Sequence, residues 1–450
     1  MHRRPGRLLV LVLPGLFLQG LVFTQWQFRT ARSPNVVAAA LQDLSIEVLR
    51  ELKVPQLRQE LREAGLDDTG FRSVLIERLA EALKAEASDG AAAPAAPAAP
   101  APGSQEEPSL VFAVNASVGH MARVVGLDAE GQLLVVGDFT GRLAGLDPKD
   151  GRVLWSSSSG LDSVSNVAEV AGDKRAWLCA SGWTGNVSLT EGQALRWASD
   201  VGVGEYGRAA YVSAAGLAIF AGGSGVHRMA GVDMGSGDLR YCVDTGIGAV
   251  WSVSASPDRP FVLCGGSWTR PNHTAEVAGY DASSGDRIFA LNPDVGRYIV
   301  TAVLPDGGTA FCSGENGQVV ALAPDTGDVL YRATSSVDEV WAIEIAHEHG
   351  LLLCSGGWSE LVSGLDLKTG ELRWGPVNAT VGKIFASKIF DSMFVCAGNA
   401  GRVAGFDLPT GSLRFVRDLD IAEIWSLAYD SKTRTLFCGG NNASVAAIRL

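Results

Sequence analysis

Hydrophobic and polar positions follow two different rhythms along this chain. Beyond residue 109, short apolar runs end in glycine pairs or Gly-aliphatic-Asp turns, which predicts short strands separated by tight turns. One run recurs eight times, as LLVVGD, WLCASG, AIFAGG, VLCGGS, AFCSGE, LLCSGG, FVCAGN and LFCGGN. Equivalent positions in these runs are Val136, Cys179, Phe220, Cys264, Cys312, Cys354, Cys396 and Cys438, spaced by 43, 41, 44, 48, 42, 42 and 42 residues. A second element follows in the same units, a turn leading into an aromatic strand. Its copies are AGLDPKDGRVLW ending at Trp155, AGVDMGSGDLRY at Tyr241, AGYDASSGDRIF at Phe289, SGLDLKTGELRW at Trp374 and AGFDLPTGSLRF at Phe415, with looser versions ending at Trp197 and Tyr331. A β-rich period near 43 residues predicts a four-stranded blade, and eight periods predict a mainly β chain with an eight-bladed β-propeller over 109–450. The last unit ends on its third strand, SVAAIRL, while SLVFAVNAS from Ser109 to Ser117 stands alone before the first unit. Lending that leading strand to the last blade closes the ring and hides two sheet edges.

Upstream the rhythm changes to a helical one. Over 45–84, Val54, Leu57 and Leu61, then Val74, Leu75, Leu79 and Leu83, recur at helical spacing. Two short amphipathic helices follow from that spacing. Pro55 suits a first helical turn, Gly65 ends the first helix, and Asp68-Thr69-Gly70 makes the turn between the two. Leu57, Leu61, Gly65, Leu66, Thr69, Gly70, Leu75, Ile76, Arg78 and Leu79 together resemble a SAP domain. That resemblance implies a helix-turn-helix module that binds DNA, sometimes RNA or protein, with Lys53, Arg58, Arg62 and Arg72 as the phosphate contacts. Eight acids and seven bases between Ser45 and Lys84 leave the module without the positive field of an effective DNA binder. Phe71 also stands where the family usually has a polar or basic residue.

Residues 87–108, ASDGAAAPAAPAAPAPGSQEEP, form an alanine and proline spacer that favours extended conformers over a packed core. At the other end, Leu8 to Phe23 is an almost unbroken apolar run preceded by Arg3, Arg4 and Arg7. Residues 1–28 therefore predict a signal peptide or signal anchor that sends the remainder across a membrane, and an uncleaved segment would be membrane-bound. Arg29, Arg32 and Ser33, with no acid before Asp43, keep an organellar presequence (plastid or mitochondrion) as the alternative.

The repeats resemble the propellers of the pyrroloquinoline-quinone type, best in Gly364 to Trp374, and more loosely WD-repeat units such as VWSVSASPDR with FVLCGGS. The resemblance implies the fold; it does not carry an activity. Composition agrees with strands and turns, since 54 glycines in 450 residues exceed the usual share of roughly 7%. With 37 Lys and Arg against 49 Asp and Glu, the net charge of −12 argues against coating nucleic acid through bulk charge.

Catalytic patterns are missing. No serine has glycine at both i−2 and i+2, and there is neither an H-E-x-x-H nor a complete phosphate-binding loop. His347-Glu348-His349 falls in a predicted hairpin turn, where three exposed polar residues explain it. The six cysteines at repeat positions would sit about 10 Å apart on neighbouring blades, too far for disulfides, and read as small buried hydrophobes. Five Asn-x-Ser/Thr sequons occur, at Asn115, Asn186, Asn272, Asn378 and Asn442. Most informative are the tryptophans. Trp183, Trp268 and Trp358 follow the second strand of blades 2, 4 and 6, while Trp251, Trp341 and Trp425 open the first strand of blades 4, 6 and 8. Both positions lie on one face of a propeller, giving either an aromatic binding face or packing between blades. Glu339 and Glu423, alternating with Arg297 and Lys383, predict a ring of opposite charges around the channel.

The function read from these features is a non-enzymatic binding scaffold with protein partners and no cofactor or metal. The alternatives are an organellar DNA- or RNA-associated protein acting through the SAP-like module, and a propeller enzyme of the quinone-dependent type.

Overall fold

Each blade is built from the pattern just described. The second strand is mostly apolar because it is covered on both faces. Leu133–Asp138, Leu351–Gly356 and Thr435–Gly440 are buried throughout. The fourth strand alternates between exposed and covered residues, as in Val329–Thr334, because it forms the outer edge. A computed structural model describes residues 108–128, 130–170, 176–222, 226–267 and 277–450. Within them, eight four-stranded antiparallel sheets follow one another around a ring. The first is Met121–Leu127, Leu133–Asp138, Arg142–Leu146 and Val153–Ser158. First strands lie innermost and meet those of neighbouring blades.

The eighth blade closes as the sequence predicts. Ile424–Asp430, Thr435–Gly440 and Ser444–Arg449 supply three strands, and Ser109–Asn115 pairs antiparallel with the last of them, Ser109 opposite Arg449 and Asn115 opposite Ser444.

Neighbouring blades are joined by a recurrent aromatic contact. The aromatic residue of each fourth strand reaches the turn between the third and fourth strands of the next blade and lies flat on a glycine. The pairs are Phe112 on Gly151, Trp197 on Gly237, Tyr241 on Gly285, Phe289 on Gly327, Tyr331 on Gly370 and Trp374 on Gly411. A Cβ at Gly237 would come within 2.7 Å of the Trp197 ring, and this glycine has a φ of +77°, so both space and backbone demand glycine. The polar edge of each ring is satisfied by the same turn. Trp197 Nε1 donates to the Met234 carbonyl at 3.0 Å, Trp374 Nε1 to Leu408 at 2.8 Å and Tyr241 Oη to Ala282 at 2.7 Å. Two seams differ. Trp155 turns back to donate to Gln132 of its own blade, and Phe415 meets no such glycine because the fourth strand of blade 8 comes from the amino-terminal side, so no turn joins it to the third.

The conserved-looking aspartates of these turns serve the turn itself. Asp233 Oδ1 accepts from the Gly235 and Ser236 amides, and its carboxylate pairs with Arg240, which holds its pKa down at about 2. Asp366 with Arg373 and Asp407 with Arg414 repeat the device. The amino-terminal apolar segment, the SAP-like module with Lys53, Arg58, Arg62 and Arg72, the spacer, Trp268 and Asn272 lie outside the described residues. Among the described residues no helix is long and apolar enough to cross a membrane.

Candidate functional site, an aromatic belt around the channel mouth

Two sets of loops converge on one face of the ring, those leading into the first strand of each blade and those joining second to third strands. Four first strands carry an extra residue there. Register with the second strand shifts between Val250 and Ser252, Val340 and Ala342, Ile384 and Ala386, and Ile424 and Ser426. The residues at the bulges are Trp251, Trp341, Phe385 and Trp425. A bulge re-aims its side chain out of the sheet pattern, and here that puts rings on the face rather than between blades.

These rings join others into a nearly continuous belt. Over blades 1 to 3, His120, Phe139, Trp183 and Tyr206 follow one another at 6.4, 5.8 and 5.6 Å between centroids. Trp251 meets Tyr298 edge-on at 5.3 Å. Across blades 6 to 8, Trp358 meets Trp341 at 6.3 Å, Trp341 meets Phe385 at 6.3 Å, and Phe385 stacks on Trp425 at 3.9 Å. Cations lie on the same rings. Lys383 Nζ sits 3.4 Å above Trp358, and the Arg208 and Arg297 guanidiniums lie 5.2 Å from Trp251 and 5.9 Å from Tyr298. Phe139, Trp183, Tyr206, Trp251, Trp341 and Trp358 all expose more than a third of their surface.

Of the tryptophans singled out in the sequence, Trp183, Trp251, Trp341, Trp358 and Trp425 lie on this one face. Phe385, Arg208, Tyr206, Phe139 and Tyr298 escaped the sequence reading. Phe385 had a signal, because the pair Ile384-Phe385 repeats Val340-Trp341 and Ile424-Trp425 at the start of a first strand. The charged residues are arranged differently from the expected alternating ring. Arg297 gives Nε and Nη2 to Glu315 of its own blade at 2.8 and 2.7 Å. Lys383 covers an indole of the preceding blade, and Glu423 accepts from Asn441 at 2.7 Å and from Trp425 at 3.2 Å. Arg297 and Glu423 thus find their hydrogen-bond partners within their own blades.

A cavity of about 210 Å³ opens at the channel mouth, lined by Asn166, Arg208, Trp251, Ser252, Val300 and Trp341 among others.

A family model described as Outer membrane protein assembly factor BamB matches residues 109–256 and 273–446. The chain belongs to this family. A SAP domain model matches residues 48–84. Among solved structures to which the BamB-type propeller is similar are the following three. BamB from Moraxella catarrhalis is 12% identical over 76% of this chain and 100% of its own, with a TM-score of 0.57. Sqt1 from Chaetomium thermophilum is 12% identical over 76% and 98%, with a TM-score of 0.64. The computationally designed Ika8 protein is 14% identical over 76% and 99%, with a TM-score of 0.62. Likeness at such identities concerns the fold alone. No curated protein matches the chain in sequence.

The chemistry available to this BamB-type propeller follows from its side chains. The channel-mouth cavity is smaller than the roughly 300–1,000 Å³ of typical cofactor sites. Among the described residues no group of three or more His, Cys, Asp or Glu side chains could hold a metal ion. These residues do not fit a quinone with a calcium ion. His347–His349 forms one exposed 3₁₀ turn between two strands. All seven cysteines are free and six are buried. Burial pushes the thiols of Cys179, Cys264, Cys312 and Cys354 up to about 12, so they stay protonated and unreactive at neutral pH. Two sequon asparagines are accounted for by the backbone. Asn115 and Asn378 accept from the amides of Ser117 and Thr380, the same turn that Asp200, Asp244 and Asp418 close in other blades.

Proposed function

We propose that this chain is a non-catalytic binding scaffold that engages a protein partner through the aromatic belt. The observation that carries the reading is the exposure of six large rings on one face. They are left uncovered, whereas the buried rings of Trp197 and Trp374 are docked on the next blade and hydrogen-bonded. Exposed aromatics with adjoining cations supply large contact area and centres of binding energy at low cost in side-chain entropy. A photo-crosslinking residue placed at Trp183 or Trp358 is expected to trap a discrete partner, and the same probe at Arg240, on the opposite face, is not. Equal trapping from both faces overturns the reading. The apolar amino terminus and its three arginines support delivery across a membrane, which a glycosidase shift and localisation of a tagged full-length chain would test.

A second reading rests on the SAP match at 48–84. It makes the module a reader of DNA or RNA inside an organelle, with the propeller as its platform. Binding of the full chain to AT-rich duplex at low salt, weakened by neutralising Lys53, Arg58, Arg62 and Arg72, would support it. No binding at low salt removes it.

A further inference from the structure

We infer that the channel mouth is a receptor for one carboxylate, the side chain of an acidic residue in the partner that the belt engages; this rests on the scaffold reading above. Blade 5 makes the space. Its first strand has no bulge and opens on Val300, and its entering loop sets Tyr298 edge-on against Trp251, so among the described residues no bulged ring stands between Trp251 of blade 4 and Trp341 of blade 6. The result is a slot with an indole on either side, Val300 and Val253 below, and Arg208 with Asn166 beyond.

Arg208 is held in place by neutral groups only. Its Nε donates to the Trp251 carbonyl at 2.8 Å and its Nη1 to the Tyr206 carbonyl at 3.3 Å, while the guanidinium plane borders the Trp251 ring. Nη2 has no hydrogen-bond partner, and no carboxylate pairs with Arg208 among the described residues. Three acids on this face are committed elsewhere. Asp138 pairs with Arg123 at 3.1 Å, Glu315 with Arg297, and Glu423 with Asn441. Burial and the nearby Arg123 lower the Arg208 pKa to about 10, with Asp138 partly opposing them, which leaves it charged at neutral pH with no ion-pair partner of its own among the described residues. A planar carboxylate matches the free side of a guanidinium, and the charge-assisted bond strengthens where water is excluded.

Size and charge narrow the occupant. About 210 Å³ admits a side chain and falls below the volumes that hold whole cofactors. The chain carries −12 overall and Asp138 lies within electrostatic reach of Arg208, so a singly charged carboxylate is favoured over a doubly charged phosphate. Net repulsion acts weakly beyond a Debye length of about 8–10 Å, which leaves the local cation to decide.

The test uses full-length chain and a random heptapeptide display library. Selected peptides are expected to share one acidic residue. An amidated synthetic copy of the best binder should lose about tenfold or more in affinity when that residue becomes Gln, since a charge-assisted bond is roughly twice as strong as a neutral one. Arg208→Met should abolish the preference for the acidic peptide over its Gln copy, and Arg208→Lys should keep part of it. The Gln substitution is made in the peptide, so the test stands even where a variant fails to fold. Gln and Glu peptides binding within about twofold, or a phosphoserine copy binding more tightly, overturns the carboxylate receptor. If the selected peptides carry no common acid yet lose affinity with Trp251→Ala and Trp341→Ala, the receptor falls and the binding face stands. If they depend on neither tryptophan nor on Arg208, both fall.

Discussion

Trp374 and Trp358 are sixteen residues apart in one blade and do opposite things. Trp374 is buried, lies flat on Gly411 of the next blade, and donates its indole proton to Leu408. Trp358 exposes 39% of its surface and is touched by a lysine and the edge of another indole. The aromatics of fourth strands are mostly docked and hydrogen-bonded, while six of the belt rings are exposed and Phe385 and Trp425 are half-buried against each other. What separates them is a receiving glycine turn and an acceptor for the polar edge. A ring with both is part of the ring closure, and a ring with neither is available to a partner.

The comparison can be broken most forcefully at the closing seam. Deleting Ser109–Asn115 from the full chain removes the outer strand of blade 8 together with Phe112, the ring that docks on Gly151. The edge of Ser444–Arg449 is then exposed. The expected outcome is loss of a cooperative urea transition and association of the chain, read by circular dichroism and light scattering. A sharp transition near the parent midpoint would mean that the seam contributes little.

Next in size is the docked tryptophan itself. Trp374→Ala should cost about 3–5 kcal/mol, the range for removing a buried aromatic side chain. Gly411→Ala should also destabilise, because its φ of +67° and the Trp374 ring leave no room for a Cβ. Since both changes disturb one contact, the double variant should lose less than the sum, measured by denaturant midpoints.

Belt residues should behave in the reverse way. Trp358→Ala is expected to change stability by no more than about 0.5 kcal/mol, as for ordinary surface positions. It should nevertheless reduce partner crosslinking from the Trp183 probe on the far side of the same face. A stability loss as large as that of Trp374→Ala would reassign Trp358 to packing between blades.

Much of this contrast was visible in the amino-acid order. Eight cysteine-register runs set the number of blades, and the lone strand before Met121 predicted the closure. Docking glycines were visible too, since Gly237, Gly285 and Gly370 follow a Gly-x-Asp turn at fixed spacing. The belt was half legible. Tryptophans stand out, but Phe385 uses the same bulge without the same letter, and Arg208 gains its importance only from what blade 5 lacks. Charge partners were not legible at all. Long side chains on short loops choose the nearest acceptor in space, so Arg297 reached Glu315 within its blade, a choice fixed by loop path rather than by periodicity.

The smallest effect concerns how far the wet face extends into the ring. Glu344 lies three residues below Trp341 on the same first strand, and Lys388 occupies the equivalent register position on the first strand of blade 7. Burial raises the Glu344 pKa from 4.5 to about 7, with Lys388 partly opposing the shift. The folded chain therefore keeps a proton that the unfolded chain has already released across the window from 4.5 to about 7. Stability from this group is full below that window and declines as pH rises through it, because the native state binds more protons. Glu344→Gln should match the parent at about pH 4.5 and exceed it at about pH 8, read as a urea midpoint that is less dependent on pH. Identical pH profiles for the two chains would show that water reaches Glu344, and that the interior below the belt is as wet as the face itself.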